Sequence, residues 1–238
     1  RYCVQTNDNL LEFVNVTKNF SNKTALDNVS FAIQPGRIIG LLGPNGSGKS
    51  TSIKMMNGLL QPDSGQVLIK GNPPSIESKK IISYLPERTY LNDWMKVSQI
   101  LSFFEDFYED FDMNRAKEML NNLNIDENVK LKTLSKGTKE KVQLILVMSR
   151  KAELYILDEP IGGVDPAARD YILSTIIQNY SETSSILIST HLIQDVEKIL
   201  DDVILINNGQ IYMTGSVDDI RSENGLSIDN LFREVFRC

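Results

Sequence analysis

Gly43-Pro44-Asn45-Gly46-Ser47-Gly48-Lys49-Ser50-Thr51 has the residue types and spacing of a loop that holds a polyphosphate. In the pattern G-x-x-x-x-G-K-[ST], backbone N–H groups wrap the anion, a lysine brings a point charge and a hydroxyl reaches Mg²⁺. The glycines let the backbone approach the phosphates with no Cβ in the way. Lys49 is placed for the β/γ-phosphates and Ser50 for the metal. The helix expected over Lys49 to Asn57, closed by Gly58, aims its N-terminal N–H groups at the same anion. Alone, the loop specifies a nucleoside triphosphate and no particular chemistry.

A second stretch supplies chemistry. Leu154-Tyr155-Ile156-Leu157-Asp158-Glu159-Pro160 is an apolar run ending in two carboxylates. Strands of a parallel sheet are buried on both faces, and ligands gather at their carboxyl ends. There Asp158 would hold Mg²⁺ through a water, and Glu159 would orient or deprotonate an attacking water. A capping pair at a strand end is the plainer reading of the same residues. Leu134-Ser135-Lys136-Gly137-Thr138 precedes a helix expected from about Lys139 to Arg150. It reads either as a second anion site at a helix N-terminus or as an ordinary cap. His191 is the only histidine and follows a strand-like run, where a structural role competes with a catalytic one.

The elements that must position these residues follow from periodicity. Leu10 to Phe20 and Ala25 to Ile33 carry strand spacing, and Arg37 to Leu42 reads as a buried strand leading into the phosphate loop. Further strands are expected at Gln66 to Lys70, Ile81 to Leu85, Leu154 to Leu157, Ser185 to Ser189 and Val203 to Ile206. Asn208-Gly209 marks a tight hairpin. From Val97 to Arg150 the texture is helical, so an α/β core interrupted by a helical insert is the simplest architecture. Within that insert Phe103, Phe104, Phe107, Tyr108 and Phe111 recur at helical spacing, with Glu105, Asp106, Glu109 and Asp110 on the other side. The stripe reads first as the core of the insert and second as a partner-docking surface. Leu226 to Phe236 reads as one or two helices with no assigned task.

Composition bounds the rest. The 238 residues suit one large domain, and 41% hydrophobic with 24% charged residues is ordinary for a globular chain. A net charge of −6, from 25 Lys and Arg against 31 Asp and Glu, argues against a nucleic-acid partner. No apolar run approaches the ~18 residues of a membrane helix. Arg1 to Asn9 lack the apolar core of a secretion signal, and Cys3 and Cys238 sit at opposite ends without a partner motif, as expected in a reducing cytosol.

From about residue 10 to residue 215 the motifs fall in the order found in the nucleotide-binding subunit of an ABC (ATP-binding cassette) transporter, which the chain resembles. Gly43 to Thr51 matches the Walker A loop, Tyr155 to Glu159 the Walker B strand and Leu134 to Thr138 the signature. Gly162-Gly163-Val164-Asp165 resembles the D-loop, His191 the switch histidine, and Phe20 falls where an aromatic stacks on adenine. The resemblance implies a P-loop NTPase with a RecA-like core, a small antiparallel β subdomain and an inserted α-helical subdomain. It places a single domain on 1–238, with core and β subdomain at about 10–88 and 151–215, helical subdomain at about 89–150 and a helical tail at 216–238.

It also implies a Mg²⁺-dependent ATPase that powers a membrane transporter. Such a subunit is cytoplasmic and held at the inner face of the membrane by integral permease subunits. Two nucleotide-binding domains, alike or different, pair head to tail. Ser135, Lys136, Gly137, Thr138 and Asp165 then act on the partner's nucleotide. Lys136 and Thr138 depart from the usual Leu-Ser-Gly-Gly-Gln. Leu-Ser-Lys-Gly resembles a subclass of prokaryotic exporters that includes antibiotic-resistance and lantibiotic-type systems. In Tyr84-Leu85-Pro86-Glu87 a glutamate stands where glutamine is usual and could still approach the metal. A soluble ABC ATPase serving macromolecular or cofactor assembly is the alternative. A catalytically dead cassette is disfavoured because Lys49, Asp158, Glu159 and His191 are all present.

Overall fold

Short runs such as Ile38–Leu42 and Leu154–Asp158, the second apolar up to its final aspartate, are buried at every position and form the centre of a parallel sheet. The computed structural model describes residues 9–162 and 164–235. In chain order its elements are β1 (Leu11–Phe20), β2 (Lys23–Ile33), β3 (Ile38–Leu42), α1 (Lys49–Met56), β4 (Ser64–Ile69), α2 (Ile76–Ile81) and β5 (Ile82–Leu85). Three helices follow: α3 (Val97–Phe107), α4 (Met113–Asn122) and α5 (Lys136–Met148). The chain then returns to the sheet through β6 (Leu154–Asp158), α6 (Pro166–Asn179), β7 (Ser185–Thr190), α7 (Ile193–Val196), β8 (Asp202–Asn207) and β9 (Gln210–Ser216). It finishes in α8 (Val217–Asn224) and α9 (Ile228–Val235).

The six-stranded sheet has the order β5-β6-β7-β3-β8-β9, all parallel except β9. Asn208 and Gly209 both take positive φ, as a tight hairpin turn requires, and join β8 to β9. A three-stranded antiparallel sheet, β2-β1-β4, lies apart from it. Period-2 alternation sends the central strands' side chains into two cores. Ile39, Leu41, Leu154, Ile156 and Leu187 pack with Ile53, Met55 and Met56 of α1 and with Leu11, Phe13 and Val16 of β1. Helix α1, which starts at the phosphate loop, is therefore clamped between two sheets. Leu42, Leu157, Ile188 and Leu205 face the other way, into a cluster that runs on through Leu101, Phe104, Leu120, Ile145, Ile172 and Leu231.

Several expectations need correction. The aromatic stripe does not continue as one helix, because α3 ends at Phe107 and Tyr108 is already extended. Phe111 instead bridges to Arg150, and the Asp112 side chain caps α4 by accepting from Arg115 N. The stripe splits in use. Phe104 is buried, whereas Phe103 and Phe107 are 57% and 67% exposed. Helix α5 starts three residues earlier than expected, because Ser135 accepts from Thr138 N and draws Lys136, Gly137 and Thr138 into the first turn. Cys3, Gly163, Phe236 and Cys238 lie outside the described residues.

The tail is two helices. Glu197 accepts from Ile228 N and Asp229 N and pairs with Arg221, tying α8 and α9 to the sheet. Burial alone would raise the Glu197 pKa, but the Arg221 guanidinium and the two N–H donors outweigh it and hold the carboxyl below its usual range.

One buried cation joins the helical insert to the sheet. Arg150, 3% exposed, donates to Asp110, to Ile82 O at 2.6 Å and to Lys80 O at 2.7 Å, with Tyr108 stacked 4.0 Å away. Replacing it strands a carboxylate and two carbonyls, a loss of about 3–5 kcal/mol when such a pair is fully buried. Asp110 keeps some solvent contact, so Arg150→Met is expected to cost about 2–4 kcal/mol in urea unfolding.

Candidate active site

Gly48 takes φ 117°, which a side chain disfavours, and a Cβ there would meet Leu26 at 2.7 Å and Ala25 O at 2.9 Å. The turn delivers Lys49 as the first residue of α1, with no acidic residue in that first turn to compete for an anion. Lys49 is 6% exposed and donates to Gly43 O at 2.7 Å and Pro44 O at 3.2 Å. Burial lowers its pKa, while the negative charges of Glu159, Asp158 and Glu87 pull the other way. Ser47 is buried beneath the loop and its carbonyl accepts from Gly209 N at 2.8 Å, so the β8–β9 turn supports the loop from behind.

Asp158 ends β6, buried, with Oδ1 lacking a hydrogen-bond partner. Desolvation pushes its pKa up to about 6. Glu87 and Glu159 add to the rise; the nearby Ser189 hydroxyl and Lys49 oppose it. Ser189 Oγ makes no hydrogen bond of ordinary geometry, so its opposition is weak. Glu159 sits at φ 50°, a left-handed conformation costing about 1–2 kcal/mol for a residue with a Cβ. The kink is locked by Glu159 N donating to Ser189 O at 2.8 Å and by Gly162 N donating to Glu159 O at 3.0 Å. It turns the carboxylate sideways, where Thr190 Oγ1 donates to Oε2 at 3.0 Å and His191 Nδ1 lies 3.0 and 3.1 Å from the two oxygens. Sequence reasoning missed Thr190, although its place before His191 at a strand end was a usable signal.

Two open clefts meet over these groups. One, of about 290 Å³, is lined by Phe20, Lys23, Ala25, the loop from Asn45 through Thr51, Glu87 and Glu159. The other, of about 450 Å³, joins Asn45, Glu87, Lys136, Glu140, Glu159 and His191. The structure therefore brings Phe20, the phosphate loop, Glu87, Glu159 and His191 to one place, and Lys136 to its edge. Ser135, Gly137 and Thr138 form the exposed start of α5, while Asp165 precedes α6. Among the described residues, none of these four lines either cleft.

The donor set fits Mg²⁺. Asp158 offers an unpartnered buried oxygen, Ser50 a hydroxyl in the adjoining groove and Glu87 a carboxylate, all hard oxygen donors. Among the described residues no group of three or more His, Cys, Asp or Glu cages an ion alone. Mg²⁺ characteristically takes one or two protein oxygens and completes its shell with waters and phosphate.

The chain matches the family model described as ABC transporter over residues 26–162, more than half its length. It is 31% identical over 224 residues to the linearmycin resistance ATP-binding protein LnrL of Bacillus subtilis (strain 168), covering 91% of this chain and 72% of that protein. It is 33% identical over 208 residues to the SkfA peptide export ATP-binding protein SkfE of the same organism, covering 85% and 87%. A solved ATP-binding subunit of an ABC transporter superposes with a TM-score of 0.86 at 28% identity, covering 95% of this chain and 99% of that one.

The Asp158 carboxyl carries a pH signature. Its folded pKa of about 6 lies above the ordinary carboxyl value of 3.8, so the folded state binds the proton more tightly than the unfolded state. The penalty for ionising it is absent below pH ~4 and complete above pH ~6, so stability from this group falls as pH rises through that window. Two pKa units correspond to about 3 kcal/mol, reduced to roughly 2 because Lys49 loses a counter-charge. Asp158→Asn is expected to stabilise the nucleotide-free chain by that amount at pH 8 and by only about a third of it at pH 4.5, measured by urea unfolding at both pH values.

Proposed function

We propose a working cycle for this chain from an established premise: it belongs to the ABC transporter family, as an ATPase subunit that powers a membrane transporter. The observation that carries the cycle is the Glu159 carboxylate, held 3.0 Å from both Thr190 Oγ1 and His191 Nδ1 at the edge of the phosphate-loop cleft. On this reading Phe20 stacks on adenine and the loop N–H groups and α1 N-terminus bind the phosphates. Lys49 exchanges its contacts to Gly43 O and Pro44 O for phosphate oxygens. Glu159 orients the attacking water and receives its proton, and Thr190 and His191 keep that carboxylate aimed at the cleft. Mg²⁺, held by Ser50 and Asp158 with Glu87 nearby, neutralises phosphate charge when bound.

The exposed start of α5 supports action in trans. Ser135, Lys136, Gly137 and Thr138, with Asp165, would complete the phosphate site of a second nucleotide-binding domain. A groove of about 480 Å³, lined by Tyr84, Tyr90, Phe103, Phe107, Tyr108 and Arg150, offers apolar surface for integral membrane permease subunits. Among the described residues no helix is long and apolar enough to cross a membrane, so such subunits would hold the chain at the cytoplasmic face. The reading treats 1–238 as one ATPase domain, with the helical segment at about 89–150 meeting the permease. The names of the resistance and peptide-export relatives support export.

Glu159→Gln keeps the shape of the side chain and removes the proton acceptor. The variant is expected to bind ATP with parent affinity, to hydrolyse it roughly 10²–10³-fold more slowly and to accumulate as an ATP-bound dimer. Phosphate release and sedimentation velocity read the two effects. Turnover at the parent rate would remove Glu159 from its catalytic role.

A further inference from the structure

Gln143 lies on α5 about two turns beyond the Ser135 cap and is 2% exposed, an unusual place for an amide. Its Nε2 donates to Pro86 O at 3.3 Å, the residue before Glu87. Its Oε1 is buried with no protein partner. The same is true of Glu140 Oε2, three residues earlier on the same face of α5, and of Asp158 Oδ1 on β6. These three side chains, with Glu87 and Glu159, line one small cavity of about 30 Å³ between α5 and the strand-end carboxylates.

A cavity holds a water when it exceeds ~10–15 Å³ and offers two to four polar partners. This one meets both conditions, and three buried oxygens converge on it without a hydrogen-bond partner. We propose that Gln143 is a positioning residue for Asp158. One water in the cavity donates to Gln143 Oε1 and Asp158 Oδ1, and Gln143 Nε2 fixes the loop that carries Glu87. Each carboxylate oxygen has two lone pairs, so Asp158 can accept from this water and still face a metal. Movement of α5, the helix capped by Ser135, is thereby felt at the metal-side carboxylate. The inference rests on the functional reading above, since Asp158 matters here as the residue that faces Mg²⁺.

The test uses the full chain with Mn²⁺ as the probe ion, detected by electron paramagnetic resonance in the presence of a non-hydrolysable ATP analogue. Gln143→Met conserves volume but carries no amide. It is expected to weaken Mn²⁺ binding about tenfold, the lower end for losing a group that orients a metal ligand, with little change in melting temperature. Gln143→Glu retains an oxygen at the same reach but loses the donor to Pro86 O, and is expected to fall between the parent and Gln143→Met. Val142→Ala, a neighbouring core truncation, is expected to lower the melting temperature and leave Mn²⁺ affinity unchanged. Parent-like Mn²⁺ binding in Gln143→Met, or equal weakening in Val142→Ala or Gln143→Glu, overturns the proposal alone. A parent chain that binds the analogue without Mn²⁺ overturns the functional reading beneath it. If Gln143→Met does not fold, Gln143→Leu is read in its place with the same outcomes.

Discussion

Charges of opposite sign are buried together at the ends of three parallel strands, and the rest of the molecule is arranged to keep them there. The register puts Leu42 beside Thr190 and Asp158 beside Ser189. The next residue on each strand is Gly43, His191 or Glu159, so the three leave the sheet within one residue of the same level. Lys49 returns to that level through the phosphate loop. Away from water, the attraction between its ammonium and the Asp158 and Glu159 carboxylates is far stronger than on a surface. It does not cancel the desolvation of either partner, which is why burial still dominates the shifts of both Lys49 and Asp158. The site is a stressed arrangement held by a rigid sheet, and the positive φ of Glu159 belongs to the same pattern.

Much of this arrangement was legible because the relevant residues are contiguous in sequence. A phosphate loop is one segment, and an apolar run ending in Asp158-Glu159 declares both a buried strand and its exit. Other parts are not local. The hydrogen-bonding contacts that aim Glu159 come from Thr190, at the end of β7, and from His191 just beyond it, some thirty residues on, and no spacing rule predicts the sideways turn at φ 50°. Helix α6 escaped periodicity analysis because its apolar residues do not form a stripe: Ile172 and Ile176 are buried while Ile177 is 47% exposed. Its start was nevertheless marked by Asp165-Pro166, a proline in the first turn being a recognised signal. Helix α2 has only six residues, too few for any period to show. The stripe from Phe103 to Phe111 misled because alternation of aromatic and acidic residues cannot reveal that Asp110 is taken by Arg150.

Two of the polar joints between the helical insert and the sheet differ in kind. Arg150 satisfies its hydrogen bonds entirely within the protein, bridging Asp110 to the carbonyls of Lys80 and Ile82. Such a joint is stiff, and losing it affects folding. Gln143 makes one long bond to Pro86 O and leaves an oxygen facing a small cavity. A joint completed by water adjusts at little cost, so it is suited to an interface that must slide. Apolar packing through Val142, Leu144 and Ile145 holds α5 in both cases.

The extra carboxylates sharpen what the site demands of its ligand. Glu87 stands where the family usually has glutamine, and it lines the same cleft as Glu159. Asp158 lies directly beneath, and Glu140 faces the neighbouring cleft. Against these, Lys49 is the buried cation, Lys23 and Arg88 line the cleft walls, and Lys136 is 81% exposed and paired with Glu140. A polyphosphate entering alone would bring several more negative charges close to these four carboxylates. A divalent ion carried in with the phosphates offsets that charge and turns Glu87 and Asp158 from repulsive neighbours into attractive ones. A glutamate at this position would therefore make occupancy depend more steeply on the cation than a glutamine would.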